Sequence, residues 1–191
     1  IGMHRSFLES DPQAIIEGMA IAGYAVGAVA GYLYVNDRYV VALERLEEAI
    51  KQAEQTGLLG SNILGSGFSF SLTVKRGGGA YVCGEETALL NALEGQSGEP
   101  RPRPPYPAQQ GLFGKPTVVN NIETLANIPL IALHGGKWFA KIGTASSSGT
   151  KIVALSGAVA RPGWVEVPLG TPVKAIIETF GKGTGTGKKV K

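Results

Sequence analysis

The stretch GYLYVNDRYVVALERLEEAIKQAEQTG, residues 31–57, changes its period midway. Its opening GYLYV alternates with aromatic residues, as a strand does. From Tyr39 onward, Leu43, Leu46, Ile50 and Ala53 recur at helical spacing and mark an inward face. Glu47 and Lys51 stand four apart, in the favourable order for an ion pair within one helix, and Gly57 closes the end. A strand handing over to an amphipathic helix points to α/β layering.

The flanks repeat that alternation. On the amino-terminal side, SDPQAIIEGMAIAGYAVGA (10–28) offers Asp11 as N-cap and Pro12 as the first helical residue, with Ile15, Met19, Ala22 and Val26 along one face. Gly23 and Gly27 provide a smooth surface for close packing. Residues 18–36 carry no charge and approach the length of a bilayer crossing. Their glycines and strand-like end instead fit a buried helix followed by a buried strand. On the carboxyl side, FSFSLTV (68–74) reads as a half-exposed strand. GGGAYVCGEETALLNALEG (77–95) then reads as a glycine-rich turn entering a helix. In α/β sheets, ligands gather at such turns.

Beyond it, GEPRPRPPYPAQQG (98–111) packs five prolines into eight positions and must run extended. KPTVVNNIETLANIPLIALHGG (115–136) returns to helix, capped by Asn120 or Asn121 and disturbed by Pro129. TASSSG (144–149) marks a boundary. A strand KIVALSGAV, a turn ARPG, a strand WVEVPLG and a helix TPVKAIIETFG follow, the opening of a small α+β module. The expected division is 1–143 as an α/β domain, 144–149 as linker and 150–191 as the second module. The last residues, up to Lys191, read as a strand cut short, so the chain is expected to be a piece of a longer protein.

Composition narrows the function classes. Hydrophobic residues make up 43% and charged residues 17%, a globular balance. The net charge is +3, and four lysines lie in the final run GKGTGTGKKVK, so no basic face for nucleic acid is indicated. One cysteine forms no internal disulfide, which fits a reducing compartment, and holds no iron–sulfur cluster alone. No secretory signal opens the chain, and no direct membrane insertion is expected.

Several motifs fail. GSGFSF and GGGAYV lack the third glycine of a dinucleotide fingerprint, and GLFGKPT has neither the spacing nor the hydroxyl residue of a P-loop. His4 and His134 have no matching nucleophile. Metal ligands and covalent catalytic residues are therefore unsupported. The turn at Cys83, Gly84, Glu85 and Glu86 is stronger. Carboxylates at a helix start are stabilised by the dipole, yet two acids exceed what one cap requires. They also suit ribose hydroxyls and repel a 2′-phosphate. Cys83 reads equally as a small apolar residue. Asn120, Asn121 and Thr124 suit either capping or a phosphate-bearing chain.

RGGGAYVCGEETALLNALEG (76–95), RPRPPYP (101–107), GLFGKPTVVNNIETLAN (111–127) and SGAVARPGWVEVPLGT (156–171) together resemble the NADH-binding flavoprotein subunit of respiratory complex I. The same module occurs in NAD-linked hydrogenases and formate dehydrogenases. The resemblance runs in order over nearly the whole chain. It implies a modified Rossmann-like domain binding FMN and NADH, followed by a ubiquitin-like β-grasp domain that binds soluble ligands. Hydride would pass from NADH to FMN, and electrons would leave for iron–sulfur clusters. Cys83, Gly84, Glu85 and Glu86 would lie beside the flavin, with Glu86 meeting the NADH ribose and disfavouring NADPH. Asn120, Asn121 and Thr124 would face the FMN ribityl and phosphate, and Tyr106 would stack on adenine.

The resemblance further implies a 4Fe–4S cluster whose ligands are absent here, and a glycine-rich FMN loop also absent, so this chain alone is expected to bind FMN weakly or not at all. Implied partners are peripheral-arm subunits of complex I, above all a thioredoxin-like 2Fe–2S subunit, on the cytoplasmic side of the inner membrane. A diaphorase of a hydrogenase or formate dehydrogenase, and a non-catalytic scaffold, stand as alternatives.

Overall fold

Two strands of equal length, Ala30–Asn36 (β1) and Ser71–Gly77 (β2), run parallel, from Ala30 opposite Ser71 to Asn36 opposite Gly77. A parallel pair cannot be joined by a tight turn, and the chain crosses between them through the helix Val40–Gln55 (α3). The alternation read from residues 31–57 is thus a βαβ unit. The computed structural model describes residues 2–188. They form two compact units: His4–Pro129, and residues 130–188 with residues 2 and 3.

In the larger unit, the helix Gly2–Ser10 (α1) leads into Pro12–Val26 (α2). Asp11 caps α2 as its sequence dictates, with Oδ1 accepting the Ala14 N–H at 3.1 Å. The two helices α2 and α3 pack on each other, α2 also meeting β1 and α3 meeting β2. Ile15, Ile16, Leu33, Val35, Leu43, Leu46 and Leu72 close the core between them. Each such side chain contributes roughly 1.5–3 kcal/mol on burial.

Three details depart from the sequence reading. Gly23 and Gly27 do not share one packing surface. Gly23 lies against the Phe70 ring, where a Cβ would come within 2.7 Å, whereas Gly27 ends α2 at a left-handed φ of 72° with open space beside it. Val26, on the last turn, is exposed rather than inward. Glu47 pairs with Arg76 of β2 at 2.8 Å instead of with Lys51. Surface pairs of either kind are worth only a few tenths of a kcal/mol, so the exchange costs little.

The helix Ile122–His134 (α5) runs on through Pro129 rather than breaking there. Proline lacks the N–H that would bond the carbonyl four residues back, that of Leu125. This same carbonyl lies over Gly18 of α2, so close that a Cβ at 18 would sit 2.1 Å from it. The oxygen that loses its helical donor meets the Cα hydrogens of a glycine instead, a weak but favourable contact.

The second unit carries a short helix, Gly136–Phe139 (α6), and an antiparallel pair, Thr150–Leu155 (β3) with Gly163–Pro168 (β4). The expected strand through Val159 stops at Leu155, and Val159 keeps a single bridge to Thr184. After β4 comes one helical turn, Val173–Ala175 (α7), which widens over Ile176–Phe180. Val167 and Ile176 are its buried apolar residues. Residues 144–149 are a closed turn, with Thr144 N–H to Ser147 O at 2.9 Å and Gly149 N–H to Ile142 O at 2.7 Å. The strand read at Lys191 lies outside the described residues.

A Gly18→Ala substitution forces α2 and α5 apart. It should cost about 1–3 kcal/mol, seen as a lower midpoint in chemical denaturation. Gly136→Ala, where a Cβ meets nothing within 4 Å, should leave the midpoint unchanged.

Candidate functional site

The carboxyl end of β2 is shaped by glycine. Gly77 backs onto the Tyr34 ring, 2.1 Å from where a Cβ would stand, and Gly79 turns at a φ of 77° beside the Asn36 amide. The chain then forms a tight turn, Tyr81–Gly84, with Tyr81 92% exposed. Around Gly78 and Gly84 there is open space within 4 Å of an added Cβ. The bend at 83–86 is therefore a surface feature with accessible backbone.

Cys83 is half-buried. The Tyr34 hydroxyl donates to its Sγ at 3.7 Å, and Gly98 leaves room for the sulfur. Burial pushes the Tyr34 pKa up, and the bond to Cys83 adds to the shift. These contacts support the packing role for this cysteine.

Glu85 and Glu86 divide the work. Glu85 is the N-cap of the helix Glu86–Leu93 (α4). Its Oε2 accepts the N–H groups of Thr87 and Ala88, each at 2.9 Å, and the Thr87 hydroxyl as well. The Thr87 hydroxyl above all, with those two N–H groups and the Arg103 charge, holds the Glu85 carboxyl below the usual carboxylate range. Glu86 opens the helix, and its Oε1 accepts from Arg103 Nη1 at 2.7 Å. The other nitrogen of that guanidinium, Nη2, lies 3.5 Å from Glu85 Oε1. One acid is spent on the cap; the other is held out, paired to a long side chain from the proline segment.

That proline segment is stitched to α4. Thr87 Oγ1 accepts the Arg101 N–H at 2.8 Å. The Arg101 side chain donates to Asn91 Oδ1 at 2.6 Å, to Glu94 Oε2 at 2.5 Å and to Gly111 O at 3.4 Å. A cleft of about 730 Å³ lies here, walled by Thr87, Leu90, Arg101, Pro104, Pro107 and Phe113 among others. Residues 83–86 do not line it, and its charged groups Arg101 and Glu94 are paired with each other. At the bend Glu86 is likewise paired, with Arg103, but its second oxygen carries no hydrogen bond among the described residues.

The remaining residues singled out in the sequence separate into two places. Tyr106 lies within the proline segment 98–111, hereafter the strap, 56% exposed, its N–H bonded to Gln109 Oε1 at 3.2 Å. Asn121 caps α5, with Oδ1 accepting the Glu123 N–H at 3.0 Å, while Asn120 and Thr124 lie exposed beside it. The structure gathers Cys83–Glu86 with the strap. It joins the Asn120, Asn121 and Thr124 group to none of them by hydrogen bond among the described residues. Thr87, Arg101 and Arg103 were missed in the sequence. Two cations alternating with prolines in RPRPPYP were the available signal. Among the described residues, no group of three or more metal-ligating side chains is found, and no helix is long and apolar enough to cross a membrane.

Comparison with known proteins gives two family matches, the Nuo51 FMN-binding domain over residues 1–130 and the SLBB domain over residues 152–189. An NADP-reducing hydrogenase protein, HndC, of Solidesulfovibrio fructosivorans is 51% identical over 99% of this chain and 39% of its own length. The F component of the Escherichia coli NADH-quinone oxidoreductase is 45% identical, over 98% of this chain and 42% of that protein. The crystal structure of an NAD+-reducing NiFe-hydrogenase in the H2-reduced state superposes with a TM-score of 0.86 at 37% identity, over 96% of this chain and 31% of that one. The chain thus spans about two fifths of the length of these curated relatives.

Removing the cap by Glu85→Ala should cost about 0.5–2 kcal/mol at neutral pH, read by denaturant unfolding. Because the folded pKa is depressed, the contribution of Glu85 is fully present above the unfolded carboxylate value of about 4.3 and lost as pH falls through the folded value. The difference between wild type and variant should therefore shrink below about pH 4.

Proposed function

The chain belongs to the Nuo51 FMN-binding family, and we propose that it forms part of a flavoprotein subunit that oxidises NADH with bound FMN and feeds electrons to iron–sulfur clusters. The observation that carries this reading is the second acid: with Glu85 occupied by the cap, Glu86 stands half-exposed at a bend that follows a glycine run, one oxygen on Arg103 and the other without a hydrogen bond among the described residues. That is the placement a ribose diol needs, since a carboxylate accepts from both hydroxyls.

FMN, when bound, supplies the ring that takes the hydride. The chain's own residues position and bind. Gly78 and Gly84 leave the main chain bare, which fits a flat ring approaching the bend. Glu86 receives the ribose, Tyr106 offers an exposed face to adenine, and Asn120, Asn121 and Thr124 serve the ribityl–phosphate end of FMN at the start of α5. Cys83 and Glu85 shape the bend beside the flavin. No protein group need carry a proton in hydride transfer; two rings must be held at contact distance.

The division into 1–143 and 150–191, joined by the turn 144–149, is kept as part of this proposal; the two family matches end at 130 and begin at 152 and leave the residues between uncovered. The partners follow from the same reading. They are the other peripheral-arm subunits, above all a thioredoxin-like 2Fe–2S subunit, with a 4Fe–4S cluster elsewhere in the whole protein, on the cytoplasmic side of the inner membrane. A second reading, the diaphorase subunit of a hydrogenase, draws on the hydrogenase relatives, one of them named for NADP. Anaerobic titration of the FMN-loaded full-length protein with NADH should bleach the flavin band stoichiometrically. Failure to bleach would leave the scaffold alternative.

Two substitutions in the full-length protein test its residues. Glu86→Gln should raise use of NADPH relative to NADH, because a charge opposing the 2′-phosphate is removed; steady-state kinetics with both donors checks this. Tyr106→Ala should weaken NADH binding by about 1 kcal/mol or more through lost stacking, measured as a dissociation constant.

A further inference from the structure

We propose that the second unit carries a docking face for an acidic protein surface. It is built where the segment 157–162 and the glycine-rich segment 181–188 lie against each other and bring Arg161 and Lys182 together, with Lys188 on the same segment. Nothing in it depends on the reading of the bend at 83–86.

Charge is divided unevenly along the chain. Residues 1–129 hold nine cations and thirteen acids, whereas residues 130–191 hold nine cations and only two acids. Both of those acids are engaged. Glu178 lies 3.8 Å from Lys174, and Glu166 accepts from the Thr150 hydroxyl. Arg161, Lys182 and Lys188 are exposed and form no ion pair among the described residues.

Main-chain bonds join the two segments. Arg161 N–H donates to Gly181 O at 2.9 Å, Ala160 N–H to Gly183 O at 3.0 Å and Gly185 N–H to Ala158 O at 2.9 Å. Arg161 is thereby brought opposite Gly181 and Lys182, and like charges so placed repel. Neither side chain is used to hold the segments together. Lys182 stands between two glycines at a φ of 57°, a left-handed conformation that glycine takes freely and lysine only at a cost. Repulsion and strain, borne by side chains without a structural task, point to a partner outside the unit.

Neighbouring apolar side chains favour a protein over a phosphate polymer. Trp164, three residues after Arg161, is 48% exposed, and Phe180, two before Lys182, is 40% exposed. Val173, on α7 of the same unit, is exposed as well. Aromatic residues and arginine form the energetic centres of protein interfaces. An aliphatic side chain such as Val173 offers a phosphate backbone nothing. Charge also selects the part of the chain that is met: an acidic surface is repelled by the larger unit and drawn to the basic one.

The test is titration of the full-length protein with a labelled peptide that carries glutamates on both sides of a central leucine, followed by fluorescence anisotropy. Labelled single-stranded DNA serves as the phosphate counterpart. The peptide should bind, and more weakly as salt is raised. Arg161→Glu and Lys182→Glu should each weaken it about five- to tenfold. Lys51→Glu, an equal change of charge on α3 of the larger unit, should leave its affinity unchanged. Lys182→Gly, which relieves the left-handed strain, should weaken the peptide without lowering the denaturation midpoint, and it keeps the test available should a charge reversal fail to fold.

Absence of peptide binding by wild type, or an affinity unchanged in Arg161→Glu and Lys182→Gly, overturns the docking face. Equal weakening by Lys51→Glu overturns it in favour of net charge alone. DNA bound more tightly than the peptide, and lost in the same variants, overturns the protein partner and makes the face a phosphate site.

Discussion

A single carboxylate oxygen, Glu85 Oε2, meets the N–H groups of Thr87 and Ala88 and the Thr87 hydroxyl. A helix start leaves its first N–H groups without partners within the helix, and this oxygen answers two of them together. That fixes where α4 begins. Cys83 and Gly84 are thereby kept in the tight turn outside it, and Glu86 becomes the first helical residue, its side chain left for a partner from elsewhere. The Thr87 hydroxyl, once committed to Glu85, uses its lone pairs for the Arg101 N–H. The cap thus fixes the bend, the spare acid and the attachment point of the strap.

The strap then sorts its two arginines by environment. Arg101 and Glu94 have side chains 27% and 13% exposed, whereas Arg103 and Glu86 are 40% and 36% exposed. Charges drawn away from water interact more strongly and tolerate loss of a partner poorly. The inner pair therefore carries the structural load, reinforced by the Phe113 N–H on the second oxygen of Glu94. Proline supplies the remaining order, since a chain with φ already fixed loses less freedom on being held.

What the sequence revealed and what it hid follow from range. The Asp11 cap, the Leu43–Leu46–Ile50 face and the strand at 30–36 are set by residues within a turn or two of one another, and local spacing exposes them. The roles of Gly23 and Gly27 could not be told apart locally, because one is decided by Phe70, far along the chain. Glu47 chose Arg76 over Lys51 for the same reason. At the site, a helix start with two acids was legible; spacing alone did not say which acid the cap would use, and only the family resemblance singled out Glu86. The choice depends on rotamers within the cap and on Arg103, 17 residues away. Asn121 rather than Asn120 as the cap of α5 is the same kind of choice.

The electrostatics of the turn argue for holding charge rather than moving protons. A general acid at neutral pH needs a carboxyl raised toward that pH, through burial away from donors. Glu85 is driven the opposite way, by donors on one oxygen and a cation near the other. Tyr34, pushed upward, keeps its proton and remains a donor to Cys83. Both shifts keep Glu85 an acceptor and Tyr34 a donor across the neutral range. The hydride transfer proposed for the whole protein asks for held rings and for no proton carrier. The same groups that secure α4 therefore keep Glu86 in place.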